Sequence, residues 1–241
     1  MGFSKMKLLK TGVVLLLLVG LCLFAAGLFK AEQASAGEQP DIAEQIRAHH
    51  ERGDSNELIV SLGGYDWRVL GVQDNRALLL SDKIIETKAY QNGGGDITWE
   101  KCSLREYLNG EFYNKLPDDF KALIAETRLT NDNNQWYGTS GGAATTDKIF
   151  LLSIEEAIRY FGDSGQLKNR PNSNVFSIDD QYNSARIAKD ANGAASWWWL
   201  RSPGFSSVSA ASVNGHGIVD IRGYGVAGSG GGLRPALWMN L

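Results

Sequence analysis

The sequence predicts an α+β domain behind one N-terminal membrane helix, and three observations carry that prediction. A charge-free apolar run opens the chain, a three-strand meander comes after it, and helical stretches with Ser-x-x-Glu starts lie between that meander and a last apolar strand. The 241 residues suit one domain with additions, and 43% hydrophobic with 21% charged residues is an ordinary balance for a water-exposed fold.

Lys5, Lys7 and Lys10 precede the run Thr11 to Phe29, "TGVVLLLLVGLCLFAAGLF". As a helix those residues would span roughly 28 Å, about one bilayer core. Basic residues ahead of the run place the chain beyond it outside the cytoplasm. Ala34-Ser35-Ala36 matches a small-residue cleavage site, so residues 1–36 read either as a signal peptide or as a retained membrane anchor. Both alternatives put the domain at the cell membrane or in the secreted fraction. Beyond residue 36 the chain holds 20 Lys+Arg against 26 Asp+Glu, a formal charge of −6. No basic stripe is left to neutralise phosphates, which excludes nucleic acid as an expected partner.

Residues 37–57 read as a polar spacer, with a short helix over Asp41–Arg52 capped by Asp41 and ended by Gly53. His49 and His50 are adjacent and so do not face one another on a helix, which favours a solvated surface over a metal pair. The domain proper, residues 58–241, opens with strands over roughly 58–62, 67–72 and 76–81, turned at Gly63-Gly64 and Asp74-Asn75. Their mostly apolar runs suggest burial on both faces. "CSLREYLNGEFYNKL" has Ser103 three residues ahead of Glu106, the spacing of a capping box, with Leu104, Tyr107 and Leu108 on one face. Pro117 starts a second helix. "DKIFLLSIEEAIRYFG" reads as a short strand and a third helix, with Ser153 and Glu156 repeating the capping box and Gly162 ending it. Polar loops at 130–147 and 162–180 separate these elements. The apolar strand Arg234 to Trp238 pairs most naturally with the opening meander, bringing both ends of the domain together. In the triplet Trp197-Trp198-Trp199, alternation puts the first and third rings on one face and the second on the other, which either pins both faces into the core or forms an aromatic platform for stacking sugars.

The residues offer no recognisable catalytic constellation, so no enzyme activity is expected from them. Cys22 falls in the apolar run, leaving Cys102 alone in the fold, which excludes an internal disulfide and a cysteine metal cluster. His216 and Asp220 lack a serine in a recognisable nucleophile elbow. Neither a cofactor nor a metal is expected, although "TNDNN" (130–134) and "SIDDQYN" (177–183) carry the residue types of calcium loops.

"WRVLGVQDNRALLLSDKII", "SLREYLNGEFYNKL", "TTDKIFLLSIEEA", "WWWLRSPG" and "GGLRPALWMNL" together resemble a bacterial family without assigned enzyme activity, whose members include variable proteins of diversity-generating retroelements. The resemblance spans about residues 58–241 and implies a C-type-lectin-like fold: small antiparallel sheets, flanking helices and paired termini. In the retroelement members a reverse transcriptase copies a template repeat with errors at adenines, and the errors land near the C-terminus of a binding protein. AAY codons altered in this way cannot encode Trp, Lys, Glu, Gln or Met, and residues 205–230 contain none of those five. The resemblance therefore implies that 205–230 is a variable-type surface between fixed flanks. Sulfatase-maturing enzymes of similar architecture are a more distant likeness, and their paired cysteines have no counterpart here.

The ligand-binding candidates are Phe205, Ser206, Ser207, Val208, Ser209, Ser212, Asn214, His216, Asp220, Arg222 and Tyr224. Strand alternation supports part of this set. Val213, Val219 and Ile221 would face the core, while Ser212, Asn214, Asp220, Arg222 and Tyr224 face solvent or a ligand; Ile218 breaks the pattern. The expected partner is an extracellular protein or a glycan, with a fixed glycan-binding or envelope-structural surface as the alternative to a variable one.

Overall fold

The two turns of the meander are set by backbone handedness. Gly63 and Gly64 lie at φ 60° and 84°, and Asp74 and Asn75 at φ 50° and 56°, the left-handed pair that a two-residue hairpin turn requires. In this computed structural model, which describes residues 41–168 and 176–241, they link β1 (Ile59–Leu62), β2 (Tyr65–Gln73) and β3 (Arg76–Ser81). β3 is buried over Ala77 to Ser81, whereas β1 and β2 are half-covered, so burial on both faces holds for the third strand alone.

Eleven further strands complete the described chain: β4 (Glu86–Thr87), β5 (Thr127–Leu129), β6 (Thr145–Asp147), β7 (Ser177–Ile178), β8 (Ala188–Lys189), β9 (Ala195–Ser196), β10 (Trp198–Pro203), β11 (Ser209–Val213), β12 (Val219–Gly225), β13 (Gly232–Leu233) and β14 (Ala236–Asn240). A four-stranded sheet has the order β1-β2-β3-β14, and a six-stranded sheet the order β4-β13-β10-β11-β12-β7. β5 pairs with β6 and β8 with β9. Pairing is antiparallel except between β10 and β13. The last strand does join the meander, running antiparallel to β3 with Trp238 opposite Leu78. The fold is thus mixed α and β with small, mainly antiparallel sheets.

Helix α1 (Ile42–Glu51) occupies the segment read as a spacer. Its Ile46 is fully buried in the hydrophobic core, and Ile42 packs against that core. From Ile42 onward the chain belongs to one unit with the domain. The apolar run 11–29 lies outside the described residues, and none of the described helices is long and apolar enough to cross a membrane.

Helix α2 (Ser103–Tyr107) is capped by Cys102 and not by the expected Ser103: the Cys102 sulfur accepts from the Arg105 amide at 3.4 Å. Ser103 Oγ instead accepts from the Asn92 amide. α2 then widens into a π-helical stretch over Leu108–Phe112, which buries Leu108 and Phe112. Helix α3 (Asp118–Leu123) has Pro117 at its cap, and helix α4 (Ile154–Phe161) has the full capping box. Ser153 Oγ accepts from the Glu156 amide and the Glu156 carboxylate accepts from the Ser153 amide. Ser153→Ala should therefore cost about 1 kcal/mol, more than Ser103→Ala, in paired thermal melts.

The tryptophans anchor the six-stranded sheet. Trp198 and Trp199 are fully buried, donating to the carbonyls of Arg186 and Lys88. Trp197 precedes β10 and is only half-buried, its ring 4.7 Å from that of Trp199. Two of the three rings are core, and the third reaches the surface.

Candidate functional site

Segment 205–230 contributes a hairpin, β11 and β12, to the six-stranded sheet. Val213, Val219 and Ile221 are fully buried, as alternation predicts. Ser212 is a correction. It is also fully buried, its hydroxyl without a hydrogen-bond partner among the described residues, because β11 is covered along its whole length. The hairpin register shifts between Ala210 and Ser212, so strict alternation fails there. Gly223 meets this irregularity at φ 73°, where a Cβ would collide with the Ala210 carbonyl.

Several other candidates are occupied with holding the backbone. Ser209 is buried and accepts from the Ser206 amide. Asn214 Oδ1 accepts from the amides of His216 and Ile218, bracing the hairpin turn. Asp220 Oδ1 accepts from the amides of Arg222 and Gly223. The side chains left outward are Phe205, Ser207, Val208, Arg222 and Tyr224 near one end of the hairpin, and His216 at the other. β11 separates those ends by about 14 Å.

Near the first end the outward residues form two neighbouring clusters. The Arg222 guanidinium lies 5.2 Å from the Phe205 ring and 5.3 Å from the Phe176 ring, and Tyr137 meets Phe205 edge-on at 6.4 Å. Beside it, Tyr224 tilts over Trp197 at 4.7 Å and 33°, and with Val208, Gly94 and Ala227 they line an open, largely apolar groove of about 490 Å³. Ser207 Oγ donates to Asp96 next to this groove. Trp197, Tyr137 and Phe176 are the participants that sequence reasoning did not assign. Trp197 had a signal, as the first ring of the triplet, but Tyr137 and Phe176 sit in loops without periodicity.

The former calcium-loop candidates have internal partners. Asn134, 2% exposed, donates to the carbonyls of Pro203 and Ile221, while its Oδ1 accepts from the amides of Trp136 and Tyr137. It thereby straps loop 130–141 across β10 and β12. Asp180 is held by the Arg186 guanidinium. Among the described residues no group of three or more His, Cys, Asp or Glu is placed to hold a metal ion. Cys102 is buried, which pushes its thiol up to about 12.

Residues 74–241 match the model of a family described as a domain of unknown function, DUF6273, and the chain belongs to that family. The match takes in every strand from β3 onward and the whole of segment 205–230. No curated protein and no solved structure matches the chain significantly.

Proposed function

We propose that this protein is an exported or membrane-anchored binding protein of C-type-lectin-like fold, which meets an extracellular protein or glycan with the outward end of the 205–230 hairpin. The observation that carries the reading is the contrast along that hairpin. Phe205 and Val208, in the turn that leads into β11, and Tyr224, on β12, are 46%, 44% and 46% exposed, while Val213, Val219 and Ile221 of the same hairpin are fully buried. Contiguous exposed apolar side chains on a rigid frame are characteristic of interaction surfaces. Ser and Gly, frequent in this segment, are with Tyr and Asn the types that make adaptable paratopes. The likeness to retroelement variable proteins adds the expectation that the outward positions are the ones allowed to change. Burial of Trp198, Trp199, Arg201, Leu233 and Arg234 in the flanks suits a fixed frame.

Thermal melting of two sets of variants tests this. Phe205→Ser, Arg222→Ser and Tyr224→Ser should each stay within about 0.5 kcal/mol of the parent. Val219→Asp should unfold the domain, because a charge would enter the core unpaired. Outward substitutions as damaging as inward ones would falsify the display reading. The tilted Trp197–Tyr224 pair favours a second reading, a fixed glycan-stacking surface, and a Tyr224→Ser variant that keeps its fold but loses a glycan ligand would select it.

A further inference from the structure

Five of the described arginines, Arg68, Arg105, Arg159, Arg186 and Arg201, each pair with a carboxylate. Arg222 is exposed and has no ion pair among the described residues. Asp220, two positions back, turns its Oδ1 to the amides of Arg222 and Gly223. Residues 169–175, which precede Phe176, contain no Asp or Glu. What flanks the guanidinium is aromatic, the exposed rings of Phe205 at 5.2 Å and Phe176 at 5.3 Å. The backbone fixes this trio, since the Phe205 amide donates to the Arg222 carbonyl and the Arg222 amide to the Phe176 carbonyl. The cation is thus positioned without being neutralised. Attraction to the rings restricts its side chain before any partner arrives, which lowers the entropy lost on binding.

A guanidinium fork of this kind matches a carboxylate, with two parallel N–H donors for its two oxygens. The adjoining groove asks for something else. Apart from the Tyr224 hydroxyl and the Trp197 indole N–H, its side chains are hydrocarbon or absent, so it suits an apolar side chain. Arg222 and Tyr224 are two positions apart on β12, their Cα atoms at most about 7 Å from one another. In an extended peptide, side chains on one face recur at that same interval. The domain's formal charge of −6 beyond residue 36 opposes a polyanion, which leaves a single carboxylate beside an apolar anchor as the complementary chemistry.

We propose that the outward end of the hairpin binds an extended protein segment in which one Asp or Glu stands two positions from an aromatic or large aliphatic residue. Arg222 receives the carboxylate, and the Trp197–Tyr224 groove receives the apolar side chain. This rests on the display reading above and narrows its partner to protein. The test is selection of a phage-displayed library of random dodecapeptides on the biotinylated full chain in detergent micelles, after depletion on empty micelles. Recovered peptides should be enriched in an acidic residue two positions from an aromatic or aliphatic one. In fluorescence anisotropy, the Kd of the consensus peptide should rise at least tenfold in Arg222→Gln and in Tyr224→Ser, with circular dichroism confirming the fold of each variant. Arg222→Glu should instead take the peptide whose acid is replaced by lysine. Binding that neither variant weakens, loss in one variant only, a consensus without the acid, or no recovered peptide at all overturns this proposal and leaves the display reading open to a different partner. Outward variants that melt early overturn display itself.

Discussion

Trp199→Ala is expected to cost about 3–5 kcal/mol, a large share of the 5–15 kcal/mol that typically holds a domain together. The ring is fully buried, and its N–H donates to the Lys88 carbonyl at 2.9 Å. Its faces and edges are taken by Tyr90 at 5.7 Å and Trp197 at 4.7 Å. Gly231 passes so close that a Cβ there would run into the indole. Truncation thus opens a cavity, deprives the part-buried Lys88 carbonyl of its donor and removes a ring contact of Trp197. Trp197→Ala should cost much less, about 1 kcal/mol, since part of that ring already meets water. Urea denaturation monitored by circular dichroism gives both values. Equal losses at 197 and 199 would show that the triplet acts as one core unit, contrary to the half-exposed position of its first ring.

A comparable loss is expected at Arg186. This side chain is fully buried and its fork grips Asp180, Nη1 to Oδ1 at 2.9 Å and Nη2 to Oδ2 at 3.2 Å, while Nη2 also donates to the Gly162 carbonyl. Arg186→Met leaves the carboxylate buried without its cation and should cost about 3–5 kcal/mol near neutral pH. The pH dependence identifies the cause. Burial pushes the Asp180 carboxyl up, but the Arg186 and Ser164 hydrogen bonds and the Tyr182 amide hold it below its ordinary 3.8. A carboxylate depressed by folding stabilises fully above the ordinary value, and that contribution is lost as pH falls through the lower folded value. In the variant the stranded carboxylate gains by taking up a proton. The gap in melting temperature between parent and Arg186→Met should therefore narrow from pH 7 to about pH 3. A gap that stays constant over that range would assign the damage to lost packing instead.

Local chemistry made much of the fold legible in the sequence. The Gly63-Gly64 and Asp74-Asn75 turns, the Ser153 capping box and the Gly162 stop each depend on residues within a few positions of one another, so spacing alone reveals them. Cys102 took the cap from Ser103 because its thiol had a buried place to occupy, and no spacing rule contains that. The hairpin was half legible. Val213, Val219 and Ile221 keep their alternation, but Ser212 is buried because β11 is covered along its whole length, and the register shift beside it appears only when β12 is laid alongside. Asn134 was the hardest to foresee. As one asparagine in a polar loop it resembles any cation-loop residue, and its two carbonyl partners lie 69 and 87 positions away.

Strand β14 has a consequence for how the molecule is made. It closes the first sheet against β3, and the Asn75 amide reaches the Leu241 carbonyl across 166 positions of chain. Pairings this remote in sequence form late, because the whole intervening loop must be closed before they return any stabilisation. Until residues 236–240 have been synthesised, the open edge of β3, with Leu78, Leu79 and Leu80, has no neighbour. Such an edge is a template for pairing with another chain. Synthesis therefore passes through an interval in which residues 58–235 exist and yet must be kept apart from their copies. Any product cut short within the last strand would remain in that state and become a substrate for holding factors and proteases rather than a weakened version of the finished domain.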